Sequence, residues 1–394
     1  MLVLASLYLF ILALSIVLSG SRAGVLSLIV VSTVLLWQRV PASNRLKATI
    51  LFVIIVVSLV GLYFLKKDSA NGRFLIWKCS WNLFLDKPIF GHGIGGFEAH
   101  YMDYQATYFR ENPDSKYTIL ADTVQHPFNE YIRIGVDYGI VGVLILLGCI
   151  FFVAFCYKNK KEENAFNQAA LLCLISIGTF SFFSYPFLYP FVWLMCFASI
   201  FIIILTYAEI FSFRFSILAR KAICFLFLGF SVFALMRLHT NRKAQKEWRR
   251  LSTRFVGKDS ESLFQQYEDV YYVMKNDRYF LYNYAAVLYD GKAYQRSLMV
   301  ANECRRAWAD YDLELLIAEN YVKQHKYEEA EKHFRLASEM CPNRFAPLYK
   351  MVLLYKDMQE EEKALNLARI IVEKPVKVPS QQIQWIKKQM GEFK

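Results

Sequence analysis

Apolar residues gather in seven runs along the chain, at 2–18, 24–37, 48–65, 139–157, 166–184, 187–207 and 222–238. A helix needs roughly 17–25 such residues to cross a bilayer. The pattern therefore predicts about seven membrane-spanning helices, with 24–37 the shortest. Between the third and fourth runs lies a polar stretch, 66–138, which holds an amphipathic segment beginning at Arg73 and a glycine-rich turn. After about residue 258 the pattern changes: charges alternate, and short amphipathic helices recur at a period of roughly 33–34, the mark of a stacked helical repeat. The expected fold is all-α, a polytopic membrane bundle followed by an α-solenoid. Its expected parts are a membrane domain over 1–240 carrying the loop 66–138, a basic linker over 241–257, and a repeat domain over 258–394.

The clearest repeat runs from Tyr311 to Arg344, with Ala318, Tyr321, Ala330, Phe334, Ala337 and Pro342 at fixed offsets. Small residues let two helices approach, aromatic side chains fill the space between them, and proline ends the second helix. In these positions the unit resembles a tetratricopeptide repeat. A weaker unit precedes it (Ala285, Leu288, Ala301) and another follows (Tyr355, Ala364, Ala368), so about three are expected. Such stacks present a concave surface, and the resemblance implies docking of a partner protein.

Composition adds direction. The chain has 394 residues, is 56% hydrophobic and carries a formal charge of +12. Arg39, Arg45 and Lys47 fall in one short connection, Lys158, Lys160 and Lys161 in a second, and Arg214, Arg220 and Lys221 in a third. The short connections of the opposite face, 19–23 and 185–190, hold only Arg22. Basic short loops stay in the cytoplasm, so the loop 66–138 and the C-terminal domain are expected outside it. The basic group Arg242, Lys243, Lys246, Arg249, Arg250 and Arg254 follows the last span; long domains translocate largely regardless of such charge. No cleavable leader is expected, since Leu2 opens an apolar run without a basic region before it. The eight cysteines show neither a disulfide framework nor a zinc spacing. The loop's carboxylates form no metal-binding pattern, and no cofactor and no nucleic-acid partner are expected.

Candidate chemistry concentrates on the outward face. Ser21-Arg22-Ala23-Gly24 interrupts two apolar runs, and a charge at that depth is costly enough to mark function. Arg73 precedes Trp77 and Trp81, four residues apart on one helical face; its guanidinium matches phosphate oxygens in shape. Gly91-His92-Gly93-Ile94-Gly95-Gly96 fits a dinucleotide fingerprint only in letters, because no strand–turn–helix unit surrounds it. Its glycines are expected to make a tight turn or to bring backbone N–H groups to an anion. His126, before Pro127, Asn129 and Glu130, is a candidate proton acceptor for a hydroxyl.

Taken in order, Ser-Arg-Ala-Gly, an arginine beside tryptophans, Asp86-Lys87-Pro88-Ile89-Phe90-Gly91-His92-Gly93-Ile94-Gly95-Gly96-Phe97, and Asn129-Glu130-Tyr131-Ile132 leading into Asp137-Tyr138-Gly139-Ile140-Val141-Gly142 resemble the O-antigen ligase family over about residues 1–207. That superfamily also includes O-antigen polymerases and O-oligosaccharyltransferases. The resemblance implies a multi-pass protein of the bacterial inner membrane. It implies metal-independent transfer of a glycan from undecaprenyl pyrophosphate, at the periplasmic face, to a lipid A–core sugar, another glycan or a protein hydroxyl. Arg22 and Arg73 would bind the diphosphate, with Gly91, Gly93, Asn129 and Glu130 in the substrate site and His126 and Arg73 in catalysis. The family usually places histidine directly before the asparagine. Phe128 stands there in this chain, so either His126 serves from two residues earlier or another group does; His92 and His100 match less well by position. Only one span precedes Ser-Arg-Ala-Gly, fewer than in the family, and an N-terminally shortened form or a mis-started reading frame is the expectation. A non-enzymatic scaffold, with the helices anchoring the repeat domain for envelope assembly, is the alternative.

Overall fold

In the computed structural model, residues 2–37, 43–159, 164–208, 217–254 and 260–393 are described. They are helical throughout, with no strand among them. The chain divides into two compact units that interleave in sequence: 1–97 with 125–212, and 98–124 with 213–394.

In the first unit, α1 (Leu2–Leu18), α2 (Arg22–Trp37), α3 (Asn44–Leu65), α4 (Lys67–Asp86), α6 (Glu130–Lys158), α7 (Ala165–Ser181) and α8 (Pro190–Ala208) carry the first six apolar runs and the amphipathic segment. Among the described residues, two helices, Glu130–Lys158 and Pro190–Tyr207, are long and apolar enough to cross a membrane. Both expose large apolar side chains, Leu144 and Phe151 on the first and Phe191 and Leu194 on the second. Packing of α2 on α7 is fixed where Ser27 Oγ lies 2.8 Å from Ser176 Oγ, with Ala23 and Leu26 buried alongside. Arg39, Lys160, Lys161 and Arg214, on which the expected orientation rests in part, lie outside the described residues, as does the boundary at 257–258.

Helix α6 begins nine residues before the apolar run it carries, because Asn129 caps it: the Asn129 side chain accepts from the N–H groups of Tyr131 and Ile132 at 2.9 and 3.0 Å. The helix breaks at Gly139, where φ is 65° and ψ −160°. That break leaves backbone groups unpaired within the helix, and the glycine-rich turn takes them up. His92 N–H donates to Val136 O (2.9 Å) and Gly93 N–H to Asp137 O (2.8 Å), while Ile140 N–H donates to Pro88 O (2.7 Å) and Val141 N–H to Ile89 O (3.2 Å). Backbone groups buried without partners are rare, so the turn and the kink specify each other.

The second unit comprises α5 (Gly96–Glu111) from residue 98 onward, the connection to Val124, α9 (Ile217–Ser252), α10 (Ser260–Met274), and the helical hairpins α11 (Arg278–Asp290)/α12 (Tyr294–Arg305), α13 (Tyr311–Lys323)/α14 (Tyr327–Met340) and α15 (Ala346–Asp357)/α16 (Glu361–Glu373), closed by α17 (Gln381–Gly391). The three hairpins share one turn. Lys292, His325 and Gln359, 33 and 34 residues apart, all have positive φ. In each, the next residue's N–H reaches five residues back, Ala293 to Leu288, Lys326 to Tyr321 and Glu360 to Tyr355. This is the 6→1 bond of a Schellman helix end. The small residues expected between helices, Ala285, Ala301, Ala318, Ala330, Ala337, Ala364 and Ala368, are all buried.

Two boundaries differ from those read from composition. The basic stretch 241–257 is not a separate linker where it is described: residues to Ser252 continue α9, and Ala244 and Leu251 are buried in the second unit's core with Trp248 against it. Cations on the outward face hid that apolar stripe. The loop 66–138 is likewise not one body, since residues 98–124 pack with the C-terminal helices. The α5 face formed by Glu98, Tyr101, Met102, Gln105, Ala106 and Phe109 is buried at the i, i+3, i+4 spacing of a helix stripe.

Candidate functional site

The first unit holds a cavity of about 270 Å³ lined by Arg22, Leu26, Tyr63, Ala70, Arg73, Phe74, Trp77 and Phe183. Its wall is mostly apolar, with two guanidinium groups set into it. Arg22 sits at the first turn of α2 and is held across to α4, donating to Ser69 Oγ at 2.5 Å and to Lys66 O at 3.5 Å. Lys66 Nζ donates to Gly20 O at 3.3 Å. Arg73 projects from α4 and lies over the Phe128 ring, 5.3 Å from its centroid. Burial, and then the neighbouring Arg22, pull the Arg73 pKa below its ordinary value. Among the described residues neither Arg22 nor Arg73 forms an ion pair with a carboxylate. Two like charges held together in an apolar wall, without a neutralising acid, make a site suited to an anion with more than one charge.

Aromatic residues extend this cluster to the candidate histidine. Phe128 packs edge-on to Tyr185 (5.3 Å), and the His126 ring lies on the same Tyr185 at 4.8 Å. Phe128 itself has φ 53°, a strained conformation for a bulky side chain. Trp77 Nε1 donates to Pro127 O at 2.9 Å and pins the 126–128 segment to α4. Sequence reasoning singled out Arg22, Arg73 and His126, and the structure brings all three into one neighbourhood. It missed Tyr185, Phe128 as a contact of Arg73, Phe183 and Lys66. Tyr185 carries no signal beyond its place before Pro186 in a short connection.

Four other expected substrate contacts have structural partners within the first unit. Gly91 N–H donates to Lys87 O at 3.0 Å and Gly93 N–H to Asp137 O, so neither is turned to an anion. A Cβ on Gly91 would come within 2.5 Å of the Asp137 backbone. Glycine is required there by a close chain crossing. Asn129 spends its side-chain oxygen on the α6 cap, and Glu130 Oε1 accepts from Phe187 N–H at 3.2 Å, fixing the connection that carries Tyr185. His92 Nε2 is 2.8 Å from Leu83 O. Its N–H and its ring both belong to the turn. No cluster of three or more metal-ligating side chains occurs among the described residues.

Residues 7–147 match the O-antigen ligase family. The matched segment contains Arg22, Arg73, His126, the glycine-rich turn and the α6 kink. Over 129 residues the chain is 23% identical to a protein of Rickettsia conorii (strain ATCC VR-613 / Malish 7) provisionally named a polysaccharide ligase; the alignment covers 31% of this chain. The chain spans 28% of that relative's length.

Proposed function

We propose that this protein is a glycan-transferring ligase of the bacterial inner membrane, acting on an undecaprenyl-pyrophosphate-linked donor at the periplasmic face. The observation that carries the reading is the pair Arg22 and Arg73, set without a carboxylate partner into one apolar-walled cavity inside the segment matched to the O-antigen ligase family. The guanidinium groups hold the diphosphate and stabilise the charge it gains as it leaves. His126, whose ring contacts Tyr185, takes the proton of the acceptor hydroxyl. The acceptor oxygen then bonds to the anomeric carbon as that carbon's bond to the phosphate oxygen breaks, and undecaprenyl pyrophosphate departs. Diphosphate is a good leaving group, so this step needs no metal. In this reading all seven apolar runs cross the membrane, lipid A–core sugar is the acceptor, and the three hairpins are tetratricopeptide repeats outside the cytoplasm.

The test is a gel of surface polysaccharide from a deletion strain, with undecaprenyl-linked glycan extracted in parallel. Loss of the ladder, with long chains accumulating on the lipid carrier, is the result expected. Core carrying a single repeat would assign polymerisation instead. A glycan missing only from protein would assign oligosaccharide transfer to protein. An unchanged pattern in both fractions would sink the enzyme reading in favour of a membrane-anchored scaffold.

A further inference from the structure

The repeat unit already has an occupant. The connections between successive hairpins form one edge of the unit, and residues 98–124 run along it. Glu98 O accepts from Ala309 N–H at 3.0 Å, and the Glu98 carboxylate is 3.9 Å from Arg278. Asp103 pairs at 2.5 Å with Arg305, which also engages the fully buried Glu314. Gln105, itself fully buried, donates to Met340 O at 2.7 Å and to Asp122 O at 3.0 Å, and accepts from Tyr101 Oη at 2.8 Å. Arg110 pairs with Glu339 at 2.5 Å. Asn343 donates to Ile119 O and Ala121 O at 3.1 and 2.7 Å, and Arg344 pairs with Asp122 at 2.8 Å. Contacts thus recur at the start of the first hairpin, at Arg278, and at both connections between hairpins, near residues 305–309 and 339–344.

This segment continues from the glycine-rich turn on one side and runs into the candidate site on the other. Phe97, immediately before it, donates its N–H to Asp137 Oδ1 at 3.0 Å beside the α6 kink. His126 follows it by two residues. We propose that the C-terminal unit works in cis: its inter-hairpin edge is the receptor for the chain's own segment 98–124, and this docking holds the adjoining residues 125–129 in the arrangement that presents His126. Along this edge the unit is committed to its own chain. The effect on transfer rests on the function proposed above; the docking and its effect on residues 125–129 do not.

The experiment uses full-length protein in detergent and reads amide hydrogen exchange. In the wild type, residues 98–124 are protected. Gln105→Ala combined with Asn343→Ala removes the two side chains that bond to carbonyls across the contact. It accelerates exchange in 98–124 and in 125–129 by at least about tenfold, while α15 and α16 keep their protection as a control for folding. A covalent lock then separates release from damage. Thr123 Oγ1 lies 4.0 Å from the Cys341 thiol, so Thr123→Cys in the released variant is expected to restore protection on oxidation and lose it on reduction. Transfer, scored as surface ladder, falls and returns with the lock. Free exchange of 98–124 in the wild type overturns the docking. Wild-type exchange at 125–129 with 98–124 released overturns the positioning role. A wild type without any transfer activity removes the ligase reading, and exchange at 125–129 then decides the proposal alone.

Discussion

The residues that matter most to this molecule's shape are glycines whose neighbours are backbone, and those on which the proposed chemistry rests are arginines whose neighbours are not acids. At Gly139 a Cβ would lie 2.3 Å from Ile89 O, in a conformation that L residues avoid. Backbone cannot swing away as a side-chain tip can. Gly139→Ala is therefore expected to cost on the order of 3 kcal/mol or more, seen as a fall in the thermal midpoint in detergent and in the amount of inserted protein. Arg73→Ala predicts the opposite pattern: an unchanged midpoint and membrane level, with transfer lowered roughly 10²–10³-fold, the scale of losing one charge-stabilising donor. Arg73→Lys should recover only part of it, because a point charge replaces a planar fork. An Arg73→Ala strain with a normal ladder would argue against the diphosphate role. These positions were unequally legible. Arg22 interrupts apolar sequence and stands out by its cost in a membrane, whereas Arg73 lies in the polar stretch and was singled out by its place in the order of motifs around it. Gly91 and Gly93 also stood out, but the sequence could not distinguish a turn cradling an anion from one packed on the carbonyls of a kinked helix 40-odd positions away.

At the level of elements, the hairpins show how periodic sequence becomes periodic structure. The buried alanines fix where two helices touch, and the shared helix end fixes where they reverse. That end uses a left-handed residue, supplied here by Lys292, His325 and Gln359 and not by the usual glycine. Gln359→Gly should relieve this strain and stabilise the unit by about 1 kcal/mol, measurable as a rise in its unfolding midpoint; a fall would mean that the Gln359 side chain contributes more than its backbone costs. The N-terminus of α13 carries a pH dependence. Asp310 caps it, accepting from Asp312 N–H at 2.9 Å, yet burial outweighs these bonds and holds its carboxyl up at about 6, above the ordinary 3.8. The folded state therefore binds this proton more tightly than the unfolded chain does. Its contribution is greatest below about pH 4 and is lost as pH rises through about 6. Asp310→Asn, which keeps a capping oxygen without the titration, is expected to flatten the unfolding midpoint across that window. The period of the hairpins was legible because it depends on local spacing. The continuation of α9 through Ser252 was not, since an exposed run of cations masked the buried Ala244 and Leu251.

For the whole molecule, the informative fact is that its two units are not consecutive in sequence. Membrane-like and repeat-like composition divides the chain near residue 240, but the compact units exchange residues 98–124 across that division. Nothing local marks this. The bond from Gln105 to Met340 O joins positions 235 apart, and a stripe such as Tyr101, Met102, Gln105 and Phe109 says only that α5 buries one face, not against what. The arrangement predicts the behaviour of a chain stopped after residue 254, which retains every residue of the 7–147 family match yet lacks the edge on which α5 lies. Its α5 face would be uncovered, because fully buried side chains such as Tyr101 and Gln105 would lose their cover and bonding partners on the hairpins. Limited proteolysis of spheroplasts is then expected to cut between residues 98 and 124 in the shortened chain and to spare that stretch in the full one. Equal resistance of the two would mean that α5 finds its cover within the first half of the chain, and would remove the physical basis for treating residues 98–124 and the hairpins as one body.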